Sequence, residues 1–302
     1  MLVISQGALF FSALIVSFLL TYPVIWMVRF FHLTQAIREE GPAAHQAKAG
    51  TPTLGGIGPV LTIIILALIF INFQFDWRYL ALILLVAGFA AIGLADDLIK
   101  AWRRQNLGLT FWQKIVFQTL LACLFCFALG LNSVFYFLFA VFIIIGTANA
   151  TNLTDGLNGL LAGTGGIALL SFAFLSARLG YADVTTFSLM AAGAVLAFLY
   201  FNFTKAKVFM GDVGSLAIGA ALAGIAILIH KELSLVIIGG VFVVETLSVI
   251  LQVAAYKLFK KRIFKMTPLH HHFELLGVKE TTIVVGFWVV GLILGIIGIF
   301  YL

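Results

Sequence analysis

The sequence predicts an all-α polytopic membrane protein with ten transmembrane helices and both termini external. Three observations carry that expectation. The 302 residues are 63% hydrophobic and only 10% charged, with 30 Phe and a mean hydropathy of +1.15, whereas soluble domains are about 25% charged and about 45–50% apolar. Apolar runs long enough to cross a hydrocarbon core of about 30 Å recur along the chain. The basic residues are split unevenly between alternate connections, as in an oriented membrane protein.

The predicted spans are 9–28, 52–71, 79–95, 115–131, 134–150, 157–176, 184–201, 213–230, 233–256 and 282–302. Several are separated only by tight polar punctuation, such as Asn132-Ser133 and His230-Lys231-Glu232, and read as helical hairpins. The N-terminus lacks the basic region and small-residue cleavage site of a signal peptide, so the first run is expected to remain as a helix. No alternating pattern suggests a β-barrel, and no internal repeat is clear. The connections are too short for a separate domain of at least about 50 residues, so residues 1–302 are expected to form a single integral membrane domain. Cys123 and Cys126 lie within one apolar run, and with no further Cys they read as packing residues.

Ten spans put both termini on one side of the bilayer. The connections 29–51, 96–114, 149–156, 202–212 and 257–281 then share the other side, and they hold fifteen of the eighteen Lys and Arg. Only Arg78, Arg178 and Lys231 fall opposite. The positive-inside rule makes the basic side cytoplasmic. The pI of 9.4 therefore describes a membrane-facing and anion-facing surface, without the fold or aromatic pattern of a nucleic-acid binder.

The acids follow the same geography. Asp96, Asp97, Asp155 and Asp212 fall at cytoplasmic helix ends, whereas Asp76, Asp183 and Glu232 fall outside. Asp96 and Asp97 end the run that begins at Tyr79, where acids oppose the negative end of the helix dipole. Ionisable groups at membrane depth call for a functional reading. Four carboxylates gathered with Lys and His on one face suit a hard cation such as Mg²⁺ together with phosphate oxygens. An active site built from them lies on the cytoplasmic face. An ion-coupled transporter would place acids mid-span or on both faces, and only Glu245 lies deep within a run.

Four further stretches carry candidate chemistry. Asn149-Ala-Thr-Asn152-Leu-Thr-Asp155-Gly-Leu-Asn158 joins two runs. Asp155 can cap the next helix there, while the Asn and Thr side chains suit a base or ribose. Asn202-Phe-Thr-Lys205-Ala-Lys207-Val-Phe209-Met-Gly211-Asp212-Val-Gly214-Ser215 opens the eighth run. Asp212 can cap it or hold a metal, the glycines permit close approach of a ligand, and helix N-termini favour anions. Phe209 can stack on a base or anchor in the membrane. Lys48, ahead of Thr51-Pro-Thr53-Leu-Gly-Gly, is either a phosphate ligand or an ordinary positive-inside lysine. His270, His271 and His272 cannot all chelate one metal from a regular helix, because neighbours point about 100° apart, but they can donate to phosphate or sugar oxygens. Glu245 and Gln252 share a helix face. The first reads as a buried interhelical hydrogen bond and the second as near enough to the cytoplasmic end to reach the site.

In this order, Thr-Pro-Thr-Leu-Gly-Gly after Lys48, Asp-Asp-Leu-Ile-Lys from Asp96, Asn-Leu-Thr-Asp-Gly from Asn152, Val-Phe-Met-Gly-Asp-Val-Gly-Ser-Leu from Val208 and Pro-Leu-His-His-His-Phe-Glu from Pro268 resemble the polyprenyl-phosphate N-acetylhexosamine-1-phosphate transferase superfamily over essentially the whole chain. The His-His-His-Phe-Glu form points to the branch that uses a muramoyl-peptide donor. The resemblance implies a bacterial plasma-membrane enzyme that moves phospho-MurNAc-pentapeptide from UDP-MurNAc-pentapeptide to undecaprenyl phosphate, giving lipid I and UMP with Mg²⁺. It implies Asp212 as Mg²⁺ ligand, Asp96 as base or nucleophile, and Asp97 as support for the metal or the diphosphate. It places Asn152, Asp155, Phe209 and Gln252 about the uridine, with Gly211 also binding substrate. It places Lys48, Thr53, Lys100, Lys114, Asn202 and His270, His271 and His272 about the phosphates and sugar. It also implies a homodimer.

Overall fold

The computed structural model describes residues 6–34, 50–71, 76–103, 105 and 107–301. Twelve helices order them: α1 (Gln6–Phe30), α2 (Ile57–Ile71), α3 (Trp77–Arg103), α4 (Phe111–Ala128), α5 (Val134–Thr154), α6 (Leu160–Arg178), α7 (Ala182–Asn202), α8 (Gly211–Leu228), α9 (Glu232–Ile238), α10 (Gly240–Phe259), α11 (Leu269–Leu275) and α12 (Glu280–Tyr301). Among the described residues there is no strand, only an isolated bridge between Thr34 and Pro52. Among the described residues, nine helices are long and apolar enough to cross a membrane. The second predicted run gives the shorter 15-residue α2.

Side-chain size sorts the helices. α8 is built largely of Gly and Ala, and apart from its first turn almost every residue is buried. Small residues let helix backbones approach closely where no water drives them together, so α8 sits at the centre with α3 and α5 packed on it. α1, α4, α5 and α12 carry Phe, Leu, Ile and Trp on their outward faces, among them Phe11, Trp26, Phe117 and Phe142, all exposed. In a bilayer those faces meet lipid.

Two elements depart from the apolar runs. The run from Tyr79 stops at Ala95 in the sequence, but α3 continues to Arg103. Lys100 reaches back to Asp96 and Asp97 on the same face, so the last turns are polar and still helical. The run 233–256 is interrupted at the buried Gly239, with φ −87° and ψ 16°, which separates α9 from α10. Irregular backbone at membrane depth is tolerated where protein surrounds it.

A short strap ties three helix ends together. Thr53 N–H donates to Leu33 O beyond α1, and Phe209 N–H donates to Pro52 O. Gly55 and Gly56 N–H donate to Phe209 O and Met210 O ahead of α8. A side chain at Gly56 would meet the Gly214 main chain at 2.5 Å, so glycine is required at this contact.

Candidate active site

Three helix ends deliver the central carboxylates. Asp96 and Asp97 come from the last turns of α3, and Asp212 from the first turn of α8. The helices meet where Gly93 faces the main chain of Asp212 and Val213. One carboxylate oxygen from each of Asp96, Asp97 and Asp212 lies within 4.8 Å of the others. Asp96 and Asp97 are buried, while the Asp212 side chain keeps a 14% opening.

Each carboxylate is held differently. The Leu109 N–H donates to Asp96 Oδ1 at 2.7 Å. Asp96 Oδ2 faces Lys100 Nζ at 2.6 Å and Lys114 Nζ at 3.0 Å. Asp212 Oδ2 takes the same two ammoniums, at 3.2 Å from Lys100 and 2.6 Å from Lys114, and its Oδ1 accepts from Asn152 Nδ2 at 2.9 Å. Asp97 Oδ2 accepts from the Val213 N–H at 3.1 Å. The N-terminus of α8 is thus capped from outside by Asp97, and Asp212, which makes no cap bond of its own, points its charge at the lysines. The cap alternative for Asp212 is not what the fold uses.

The neighbours are fixed by local structure. Thr110 and Gln113 form a capping box that starts α4 and sets Lys114 one turn in. Asn152, in the last turn of α5, also donates to Ser215 Oγ at 2.9 Å, and Thr151 Oγ1 donates to Ser215 O at 2.9 Å. Asp155 closes α5 and does not cap α6, whose N-cap is Gly159 at φ +79°. Its carboxyl is held well above the ordinary carboxylate range, first by burial and then by the negative charge of Asp212 and Asp97, against a hydrogen bond from the Gly211 N–H. Gly211, at φ +77°, has no room for a side chain between Asp97 and the buried Thr53.

Other sequence candidates stand farther out. His270 is fully buried. Its main-chain N–H is 3.2 Å from Glu245 Oε1 and its Nδ1 3.1 Å from Glu245 Oε2, which is the interhelical hydrogen bond expected of Glu245. The imidazole packs on Gly156, beside Asp155. His271 pairs with Glu274 at 2.7 Å, and His272 Nδ1 accepts from the Lys265 N–H at 3.1 Å. Gln252 clamps the connection after α10, accepting from Ile263 and Phe264 N–H and donating to Phe264 O. Asn202 accepts from Gly159 N–H at 2.6 Å and donates to Val208 O at 3.0 Å, tying the start of α6 to the segment before α8. Phe209 is half-buried in the strap. Lys48 lies outside the described residues.

The sequence reading missed Leu109, which contributes only its main chain and so leaves no side-chain signal. It also missed Ser215, although the hydroxyl lies within a motif already singled out. The donor set fits Mg²⁺ by chemistry: three carboxylates, all hard oxygen ligands, converge at one point. Lys100 and Lys114 supply cations beside them for phosphate oxygens.

The glycosyl transferase family 4 model matches residues 79–230, the stretch that contains all three central acids. Curated relatives match over nearly the whole chain. A phospho-N-acetylmuramoyl-pentapeptide-transferase of Halalkalibacterium halodurans is 47% identical, covering 95% of this chain and 95% of its own length. Those of Bacillus pumilus and Bacillus subtilis are 48% and 46% identical, each covering 95% of this chain and 94% of its own.

Proposed function

The chain belongs to the phospho-N-acetylmuramoyl-pentapeptide-transferase family, and on that premise we propose that it transfers phospho-MurNAc-pentapeptide from UDP-MurNAc-pentapeptide to undecaprenyl phosphate. An oxygen of the acceptor phosphate forms a bond to the sugar-bearing phosphorus. The bond from that phosphorus to the bridging oxygen breaks, and UMP leaves with that oxygen, giving lipid I. The observation that carries the proposal is the convergence of Asp96, Asp97 and Asp212 with Lys100 and Lys114 at the ends of apolar helices. A lipid phosphate is confined to that depth, and two anionic reactants need cations to offset their repulsion.

Asp212, with Asp96 and Asp97, is the proposed Mg²⁺ set, and Mg²⁺ when bound supplies Lewis-acid stabilisation of the diphosphate charge. Lys100 and Lys114 hold phosphate oxygens, and Asp155, Asn152 and Gly211 face the nucleotide. Asp96 serves the acceptor phosphate as a base. Its two oxygens are engaged by Leu109, Lys100 and Lys114, and the transfer is proposed to be direct, without an acyl-phosphate intermediate. The site faces the cytoplasm of a bacterium, at its plasma membrane.

The test is UMP release by purified protein given Mg²⁺ and both substrates. Donor alone should release none, since direct transfer needs the acceptor, and a burst of UMP without acceptor would restore Asp96 as nucleophile. Turnover with UDP-GlcNAc equal to that with UDP-MurNAc-pentapeptide would reassign the donor while leaving the chemistry in place.

A further inference from the structure

A second cationic site lies behind the strap. A cavity of about 400 Å³ opens between the end of α1 and the segment before α8, lined by Arg29, His32, Thr34, Thr51, Pro52 and Lys207 among others. No carboxylate among the described residues lines it. Arg29 stands in the last turn of α1, and His32 occupies the left-handed turn that follows, at φ +53°. The Thr34–Pro52 bridge holds the cavity's two edges together.

The cations here differ in kind from those of the reaction site. Lys100 and Lys114 are each paired with carboxylates. Lys207 Nζ instead lies over the Tyr200 ring at 4.3 Å and the Phe201 ring at 5.8 Å. Ring faces hold an ammonium in place without neutralising it. Cations that line a cavity with no acid among its described residues leave room for an anion.

The surroundings say what kind. Around Arg29, Trp26 and Phe30 on α1 and Phe31 just beyond it are 69%, 63% and 63% exposed, and Trp26 stacks on Phe30 with ring centroids 5.5 Å apart. Exposed aromatic rings at the end of a membrane helix sit at the headgroup level. The cavity therefore opens beside lipid, at the depth where lipid phosphates lie. Its volume exceeds a bare phosphate and admits the first carbons of a lipid as well.

It is also separate from the acids. Pro52, on the cavity wall, accepts from the Phe209 N–H. The next residue, Thr53, stands beside Gly211, whose other neighbour is Asp97. The strap is the partition between the two sites.

We propose that this cavity binds the phosphate of a membrane lipid, with Arg29, His32 and Lys207 as its ligands. Two lipids share that chemistry, a polyprenyl phosphate and a bulk anionic phospholipid. Binding at this site depends on the membrane setting and not on the transferase assignment, so either can fail alone.

The experiment is native mass spectrometry of the full chain in detergent, titrated separately with undecaprenyl phosphate, phosphatidylglycerol and phosphatidylcholine. Each is compared across wild type, Arg29→Gln, Lys207→Gln and Lys205→Gln. Lys205 is exposed two residues away and does not line the cavity, so it reports diffuse surface charge. The expected result is binding of a phosphate lipid that weakens about fivefold in Arg29→Gln and in Lys207→Gln and is unchanged in Lys205→Gln. If phosphatidylglycerol shows the effect, the occupant is bulk anionic lipid. If undecaprenyl phosphate alone shows it, as loss of one of two bound molecules, the occupant is a polyprenyl phosphate. Lys207→Gln, an exposed loop change, answers the question should Arg29→Gln fail to fold. Unchanged affinity in the cavity variants, an equal loss in Lys205→Gln, or equal binding of phosphatidylcholine overturns the proposal.

Discussion

Asp212 makes three polar contacts, to Lys100, Lys114 and Asn152, and none to its own helix end. Replacing it by Asn keeps an acceptor for Asn152 or for a lysine, and Asp96 still stands in ion-pair contact with both ammoniums. Stability should therefore change little, while the charge that holds a cation against two phosphate-bearing substrates is gone. Asp212→Asn is expected to melt within a few degrees of wild type and to lose at least about a hundredfold in UMP release, with extra Mg²⁺ restoring little. Wild-type turnover would move the metal onto Asp96 and Asp97 alone. Glu245 gives the opposite outcome. It accepts from the main-chain N–H of His270 and engages its Nδ1, all of it fully buried. Glu245→Ala leaves both donors without an acceptor, at about 1–3 kcal/mol each, whereas Glu245→Gln retains an oxygen. Thermal melts should show Ala well below Gln, and equal melts would remove the strut. A glutamate deep in an apolar run announces that it needs a partner, but not that the partner lies 25 residues on.

At the scale of elements, the site depends on how closely α3 and α8 approach. A methyl at Gly93 would collide with the Asp212 carbonyl and the Val213 nitrogen, and main chain cannot swing aside as a side-chain tip can. Overpacking of this kind costs about 1–3 kcal/mol, and it parts Asp96 and Asp97 from Asp212. Gly93→Ala should lose transfer activity even where it still folds. Gly146→Ala, with nothing within 4 Å of the added carbon, should match wild type, and equal activity in the two variants would show that the crossing tolerates slack. The helices themselves were legible in the apolar runs, whereas the central place of α8 was not, because its glycines were read only for the approach of a ligand. The end of α3 was not, because hydropathy registers transfer cost whereas the helix continues wherever Lys100 can pair with Asp96 and Asp97. The carboxylate of Asp97 capping a helix 116 residues later was also out of reach, since a cap is sought next to the helix it serves. The break at Gly239 leaves the apolar pattern intact and so was invisible to it.

Across the whole molecule, charge and chemistry fall on the same side. The fifteen Lys and Arg of the site-side connections stand against three opposite, and the acids of the reaction site lie at the same helix ends as the cations of the second cavity. Two causes act in one direction. Positive connections resist translocation, and a site for anionic nucleotide and lipid phosphate needs cations. Under the proposed function an inverted chain would face its acids away from a cytoplasmic nucleotide donor, so orientation is the property on which that proposal rests. Single cysteines at positions 262 and 231, in a background lacking Cys123 and Cys126, read it directly. Arg262 is exposed beyond α10, and Lys231 lies in the turn between α8 and α9 at the other end of the helices. In intact cells an impermeant maleimide should label position 231 and spare position 262, which should react only after the membrane is opened. Rapid labelling at 262 in intact cells would invert the molecule and remove the donor from reach of Asp212.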